Sequence, residues 1–239
     1  MNPADNPESR LIEQMFDRLA RRYDLFNRLS SLGLDNLWRK EALKGVSEGM
    51  RVLDLGCGTG DLSIGSARKL KGRGQVTGLD FSQAMLEIAR RRLRKLDPQS
   101  AAAVRFVRRK AEELPLDEAP YDLVLSGFVL RNLTEHLDAI LSGVYRSVKK
   151  GGRIGFLDFT EPPSRWVRGL WRFYMNSCVA FYGKILFGKD YPDFYMTKSA
   201  ERFLKVDEFS KKLEEKGFSK VSARRFMFGV IVLYEAEKL

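Results

Sequence analysis

Apolar residues recur along this chain in two alternating rhythms. Between 11 and 29 they fall at helical spacing, with Met15, Leu19 and Phe26 among them and Arg18, Arg21 and Arg22 between, which predicts an amphipathic helix. Gly33 interrupts it, a second helix is expected over 35–43, and 45–49 reads as a turn. From 51 the rhythm changes to short β-branched and leucine-rich runs, predicted as strands over 51–55, 75–79, 104–107, 121–126 and 153–159. Helices are predicted between them over 61–70, 82–96 and 133–148. Ser82 is placed to cap the second of these. The third is expected to stop at Lys149-Lys150-Gly151-Gly152, basic residues and then glycine at the negative end of the helix. Strands alternating with helices imply right-handed crossovers and a parallel sheet.

Residues 166–195 break this alternation with Trp166, Trp171, Phe173, Tyr174, Phe181, Tyr182, Phe187, Tyr191, Phe194 and Tyr195, and are expected to form a helical cap. A helix over 205–216 precedes strands over 219–226 and 229–236, which are too close for a helical crossover and must pair as a hairpin. The expected architecture is α/β, a seven-stranded, mostly parallel sheet with a C-terminal antiparallel hairpin. It divides into an N-terminal helical lid (1–45), an α/β core (46–160), the aromatic-rich cap insertion (161–204) and a C-terminal helix and hairpin completing the sheet (205–239).

Composition narrows this little. With 239 residues, 44% hydrophobic and 31% charged, the chain can bury a large core. Its two cysteines, Cys57 and Cys178, suggest neither a disulfide framework nor a metal knuckle, so no metal site and a reducing cytoplasm are expected. Residues 1–10 are polar and partly acidic, unlike a signal peptide, and no uncharged apolar run reaches bilayer length. The net charge of +11 is the unusual bulk feature, and it suits RNA, an anionic membrane surface or solubility alone.

The chemistry gathers after the first strand, at Asp54-Leu55-Gly56-Cys57-Gly58-Thr59-Gly60. The chain must turn sharply there, close to a ligand, before opening a helix whose free amides face the cleft. The dinucleotide fingerprint would want its third glycine at 61, where Asp61 stands, and no Gly-Lys-Ser or Gly-Lys-Thr follows to hold phosphates. Asp80 ends the second strand, where a carboxylate can accept from both hydroxyls of a ribose. Singly, Asp54 and Asp80 could be loop or helix caps; together and in this order they favour a nucleoside ligand, with a nicotinamide cofactor still compatible.

Further motifs surround that turn: Met-Phe-Asp-Arg-Leu-Ala-Arg-Arg-Tyr-Asp-Leu-Phe-Asn over 15–27, Ser30-x-x-Gly33, Trp38-Arg39, and Gly78-Leu79-Asp80-Phe81-Ser82 with Met85-Leu86. Ala111-Glu112-Glu113-Leu114-Pro115 and Leu130-Arg131-Asn132-Leu133 follow. On these the chain resembles the ubiquinone/menaquinone biosynthesis C-methyltransferases over residues 15–160, most specifically at Tyr23-Asp24/Asn27 and Arg131-Asn132. The resemblance implies the class I S-adenosylmethionine-dependent methyltransferase fold, S-adenosyl-L-methionine as cofactor with S-adenosyl-L-homocysteine as product, and methylation of a ring carbon of a polyprenylated quinol, demethylmenaquinol foremost. It implies cofactor contacts from Tyr23, Asp54, Gly56, Cys57, Gly58, Gly60, Asp80, Phe81, Met85, Lys110, Ala111 and Glu112. It implies chemistry at Arg131, Asn132 and Asp158, and acceptor contacts from Asn27, Phe128, Arg131 and Tyr195. The chain departs from the family pattern at Lys110 (usually aspartate or asparagine), Val129 (usually glycine) and Asp158 (usually glutamate), and echoes it only faintly after 160.

A guanidinium is a very poor base, so Arg131 is expected to stabilise a developing phenolate, unless it merely pairs with Asp158. The solitary His136 has no partners in a metal-ligand spacing and is expected to be solvated or locally bonded. Arg165, Arg168, Arg172, Lys184 and Lys189 interleave with the aromatics of the cap, which is then either plain helical core or a wall for an isoprenoid tail at a membrane. The implied setting is cytoplasmic, peripheral on the inner face of the membrane, with transient contact to anionic lipid, no obligate nucleic acid and room for a homodimer. Three rivals remain: an RNA methyltransferase using the basic runs 90–95 and 105–110, a methyltransferase of another lipid or small aromatic, and a non-enzymatic cofactor-binding scaffold. Against RNA, Ser126-Gly127-Phe128-Val129 stands where base amino-methylating enzymes carry Asp/Asn-Pro-Pro-Tyr, and no RNA-binding module is recognisable.

Overall fold

The computed structural model describes residues 7–114, 120–191 and 195–239, with side chains other than those of 7–15, 190, 195 and 196. Two helices, α1 (Pro7–Ser30) and α2 (Asp35–Ala42), lead into the sheet. Its first half runs β1 (Arg51–Leu55), α3 (Asp61–Leu70), β2 (Gln75–Asp80), α4 (Gln83–Leu93), α5 (Pro98–Ala102), β3 (Val104–Arg108) and β4 (Tyr121–Gly127). Its second half runs α6 (Leu137–Ser147), β5 (Val148–Phe159), α7 (Arg165–Tyr174), α8 (Ala180–Phe187), α9 (Tyr195–Arg202), α10 (Val206–Glu215), β6 (Phe218–Phe226) and β7 (Ile231–Lys238). The seven strands lie in the order β3-β2-β1-β4-β5-β7-β6. Among the described residues β7 alone runs antiparallel, between β5 and β6. The order reverses between β1 and β4, so the crevice beyond their carboxyl ends is where such a sheet binds a ligand.

Strand interiors pack as expected of a doubly covered sheet: Val52, Leu53, Leu55, Val124, Leu125, Phe156 and Leu157 are buried on its two faces. Ser82 caps α4, its hydroxyl accepting from the Met85 amide at 3.2 Å. Two expectations need correction. α6 begins only at Leu137, after two short 3-10 turns at Leu130–Asn132 and Thr134–His136, and ends at Ser147, with Val148 already extended. Lys149-Lys150-Gly151-Gly152 therefore does not cap the helix; it forms the start of β5, where the pairing register with β4 shifts between Tyr121 and Leu123. The helix expected over 82–96 ends earlier, at Leu93, and a further short helix that was not expected, α5, starts at Asp97-Pro98, with the Asp97 carboxylate accepting from the Ser100 amide.

Lid and cap share one core. Phe26 of α1 packs with Trp171, Met175, Val179 and Ala200, and meets Phe187 and Tyr191 edge-on. α7 and α8 are joined by a π-helical turn, Met175–Val179, with helical backbone on both sides, so the two form one continuous rod. Among the described residues no helix is long and apolar enough to cross a membrane.

Candidate functional site

Beyond the carboxyl ends of β1, β2 and β4 lies a cavity of about 340 Å³. The glycine turn forms its floor. Gly56, Gly58 and Gly60 all have positive φ (67°, 54° and 89°), which is why the turn needs glycine. At Gly56 a Cβ would also stand 2.6 Å from both methyls of Val129, so the valine packs directly on the turn. At Gly58 nothing stands within 4 Å of such a Cβ, so the backbone itself faces open space.

Two buried carboxylates hold this floor. Asp54 receives the Ser63 hydroxyl at 2.6 Å, tying β1 to the first turn of α3. Asp80 receives the Gly58 amide at 2.7 Å and the Ser82 amide at 2.9 Å, one on each oxygen. A carboxylate oxygen accepts more than one hydrogen bond, so Asp80 serves as loop cap and keeps capacity for a ribose. Burial pushes the Asp54 carboxyl up to about 7 and the Asp80 carboxyl up to about 6, against hydrogen bonds that lower both. Both values lie above the ordinary carboxylate value of about 4, so the folded ligand-free protein binds protons the unfolded chain does not. These two groups therefore stabilise the fold at about pH 4 and lose that contribution as pH rises to about 7. A ribose needs Asp80 ionised, so the cofactor's affinity should move the other way. Titration calorimetry is expected to show S-adenosylmethionine binding weaken below about pH 6. Asp80→Ala should weaken binding at every pH and flatten that dependence, and unchanged affinity in the variant would remove Asp80 from the cofactor site.

The lid closes one side. Phe16 and Tyr23 line the cavity, with Phe16 edge-on to both Tyr23 and Phe81. Burial raises the Tyr23 hydroxyl above its ordinary value; Arg131, a hydrogen bond with Asn27 and Arg39 oppose this. α1 is pinned by Asp24, which receives the Thr59 hydroxyl at 2.6 Å and Arg92 at 3.1 Å, while Arg92 also reaches Asp61 at 2.5 Å. Asp17 receives the Ser82 hydroxyl. The basic runs once open to an RNA reading are partly spent in such internal bonds: Arg90 donates to the Phe106 carbonyl, Arg105 to the Thr77 hydroxyl and Arg108 to the Phe81 carbonyl.

The far wall comes from the β4 loop. Gly127, Phe128, Val129, Asn132, Leu133, Thr134, Glu135 and His136 line it, with Arg202 from the end of α9. Phe128 has φ 65°, a strained position for a residue with a side chain. It is held there by its own amide on the Leu157 carbonyl and by Arg131, which donates to the Phe128 carbonyl at 2.9 Å. The Phe128 ring is packed by Trp38, Phe159 and the Arg39 guanidinium.

The structure brings most of the expected cofactor set to this cavity: Tyr23, Asp54, Gly56, Cys57, Gly58, Asp80, Phe81, Met85, Lys110, Ala111 and Glu112 all line it, with Phe128 and Asn132 opposite. Gly60 is set just behind, against Ala89 and Phe106. Two residues expected to carry chemistry, Arg131 and Asp158, and the expected acceptor contact Asn27 do not line the cavity. Arg131 is 4% exposed and behind the wall, its guanidinium 2.7 Å from Asp158 Oδ1 and donating to Ser199. Asp158 is fully buried at that pair, receiving the Arg131 and Phe159 amides as well. Asn27 bonds to Tyr23 and is not among the described residues of the wall. The Tyr195 side chain, with Met15 and Pro115, lies outside the described residues. His136 corrects its expectation: it is half-buried in the cavity wall, and its Nε2 has no hydrogen-bond partner. The Oδ1 of Asn132, in the same wall, is also buried without a partner. Arg39, Asp61 and Arg202 also line the cavity, and none of them was expected as a site residue; charged residues far apart in the chain carry no local signal that they meet.

A floor of bare backbone at Gly58, a ribose-placed carboxylate and a turn sequence without a Gly-Lys-Ser or Gly-Lys-Thr fit S-adenosylmethionine. The sequence profile of the ubiE/COQ5 methyltransferase family matches residues 4–238. A demethylmenaquinone methyltransferase of Lactiplantibacillus plantarum is 33% identical over 230 residues, 95% of each chain. A ubiquinone/menaquinone biosynthesis C-methyltransferase of Idiomarina loihiensis is 32% identical over 237 residues, 98% of this chain and 93% of that one. The solved structure of an S-adenosylmethionine-dependent methyltransferase from Aquifex aeolicus superposes with a TM-score of 0.64 at 18% identity, covering 90% of this chain and 98% of the other, a likeness of fold. The similarity thus continues well past residue 160, where the motifs grow faint. Because it runs unbroken through lid, sheet, cap and hairpin rather than through the shared cofactor motifs alone, this chain belongs to the ubiE/COQ5 methyltransferase family.

Proposed function

We propose that the protein methylates a ring carbon of a polyprenylated quinol, demethylmenaquinol foremost, which it collects from an anionic membrane surface. The observation that carries this is the pair of unpartnered polar atoms in the wall facing the glycine turn, Asn132 Oδ1 and His136 Nε2, in a chain whose relatives are named for quinone methylation. S-adenosylmethionine, when bound, supplies an electrophilic methyl group. Asp80 would hold its ribose, the bare backbone of the turn at Gly56 and Gly58 its amino-acid end, and the segment of Lys110, Ala111 and Glu112 its adenine. Lys110 cannot accept from an adenine amino group, so that task falls to backbone carbonyls.

The residues of the far wall then act on the acceptor. Removing a proton from a hydroquinone hydroxyl enriches the neighbouring ring carbon in electrons. Asn132 Oδ1 accepts from such a hydroxyl and orients it, and His136 Nε2, free in the same wall, is available to take the proton. Arg131 acts from behind, as a positioning residue. Its buried charge favours the phenolate, and its bond to the Phe128 carbonyl keeps the strained residue and its ring against the cavity. Holding the two reactants in line in a walled cavity supplies much of the remaining acceleration.

The test offers labelled S-adenosylmethionine with reduced demethylmenaquinone in one tube and bulk RNA in another. Label is expected in the quinol and not in RNA. Label in RNA alone would overturn the quinone reading, and label in neither would move the acceptor to another lipid or small aromatic.

A further inference from the structure

The rod formed by α7, the π turn and α8 has one face in the core and one in solvent. Trp171, Met175 and Val179 are buried, while Trp166 is 85% exposed, and Leu170, Phe173, Phe181 and Ile185 all stand well out of the protein. Within each helix the exposed set is spaced by three or four residues, and eight separate Phe173 from Phe181 across the π turn. A run of four-residue steps drifts by about 40° per step around a 3.6-residue helix. The wider π turn at Met175–Val179 takes back much of that drift, so the apolar residues of α7 and of α8 fall on one side of the rod, with exposed Asn176 and Ser177 between them.

A second feature joins it. At the β6–β7 turn Phe228 is 82% exposed with φ 55°, a backbone position glycine would fill without strain. Gly229 beside it lies against Pro163, just before α7, so this ring tip stands next to the start of the stripe. Exposed cations flank the apolar residues: Arg165 and Lys184 on the rod, Lys189 in the 3-10 turn that follows it, and Arg225 at the β6–β7 turn. An exposed apolar face rimmed by basic residues marks an interaction surface.

From this arrangement we infer that the stripe and the Phe228 tip form a membrane-docking surface, with an anionic bilayer as its occupant. The apolar rings enter the boundary between headgroups and acyl chains, and the flanking cations meet the phosphates. The charge decides against self-association. A second copy would bring another +11 chain, with the same basic rim, against the first. The surface is also close to the cavity in the fold: Thr197 of α9 donates to Asn176 of the π turn, Ser199 of the same helix receives Arg131, and Arg202 lines the cavity. The inference deepens the quinol reading by naming where the protein meets the substrate's solvent, and the experiment separates the two.

Full-length protein is mixed with phosphatidylcholine vesicles with or without about a third phosphatidylglycerol, and the bound fraction is read by co-sedimentation at low and high salt. Partition is expected only with the anionic vesicles, falling as salt rises. Trp166→Ser with Phe228→Ser, and separately Arg165→Glu with Lys189→Glu, should each lower partition roughly tenfold or more. Methylation of a short-chain quinol in detergent-free buffer should be unchanged in both variants, which shows that they fold. Equal binding to neutral vesicles, or variants that still partition, would overturn the inference. So would a micromolar dimer in sedimentation velocity that Trp166→Ser dissolves, because the occupant would then be a second copy. Vesicle binding without quinol turnover would sink only the substrate assignment, and quinol turnover without vesicle binding only the docking surface.

Discussion

Asp158→Ala should lower the stability of the protein by about 3–5 kcal/mol, because it leaves the Arg131 guanidinium buried without its carboxylate. For a chain of this size that corresponds to a fall in Tm of roughly 2–4 °C per kcal/mol. Turnover should fall as well, since the same pair fixes Phe128. Arg131→Lys separates the two effects. Lysine keeps the charge but not the planar fork, so it cannot serve Asp158, Ser199 and the Phe128 carbonyl together. Its turnover should drop by about tenfold or more, equivalent to about 1.4 kcal/mol, with cofactor affinity nearly unchanged. An apolar pair, Arg131→Met with Asp158→Leu, should recover much of the lost stability without recovering turnover. Thermal melts and steady-state kinetics on the same preparations read all three. Wild-type turnover in Arg131→Lys would remove the arginine from the mechanism.

Gly58→Val is expected to abolish most cofactor binding while sparing the fold. Nothing in the protein stands within 4 Å of the new Cβ, so the side chain fills the cavity rather than the core. Its positive φ costs about 1–2 kcal/mol of stability. Overfilling the cradle by about 1–3 kcal/mol corresponds to roughly a 5- to 150-fold loss of affinity. Gly56 gives the contrast, since there any side chain collides with Val129 and the turn itself must move. Calorimetry with each variant, alongside its melting curve, distinguishes a blocked site from a broken one. Full affinity in Gly58→Val would mean that the donor does not lie on this turn.

The parts of this molecule written in local patterns were readable from the chain. The β1 strand, the glycine turn and Asp80 depend on residues close together in sequence, and they stand in the fold where that spacing required. The same holds for the hairpin, whose short connection allowed no other pairing. What was not readable depends on distant partners. His136 looked like an ordinary polar residue on a helix, but two 3-10 turns delay α6 and swing it into the wall. Arg131 could be read either as a group facing the acceptor or as the partner of Asp158. Only the fold shows the pair buried behind Phe128, because the choice turns on which way a loop bends. The basic runs were open to an RNA reading, yet Arg92 is tied into Asp24 and Asp61, residues on two other elements.

The position of β7 has a consequence for how the protein is made. The last strand of the chain does not add to an edge; it slots between β5 and β6 and bonds to both along nearly its whole length, with Tyr234 and Leu233 fully buried. While the polypeptide is still emerging, the β5 edge therefore stays open, a row of unpaired amides beside the apolar surface that β7 will later cover. The lid, cofactor turn and far wall precede β7 in the chain, but the sheet that supports Asp158 is sealed from one side only once β7 itself has emerged. Until that moment an unfinished chain offers neighbours a template for strand pairing. Nonsense codons or proteolytic trimming anywhere in the final strand would then yield a sticky fragment instead of a weakened enzyme.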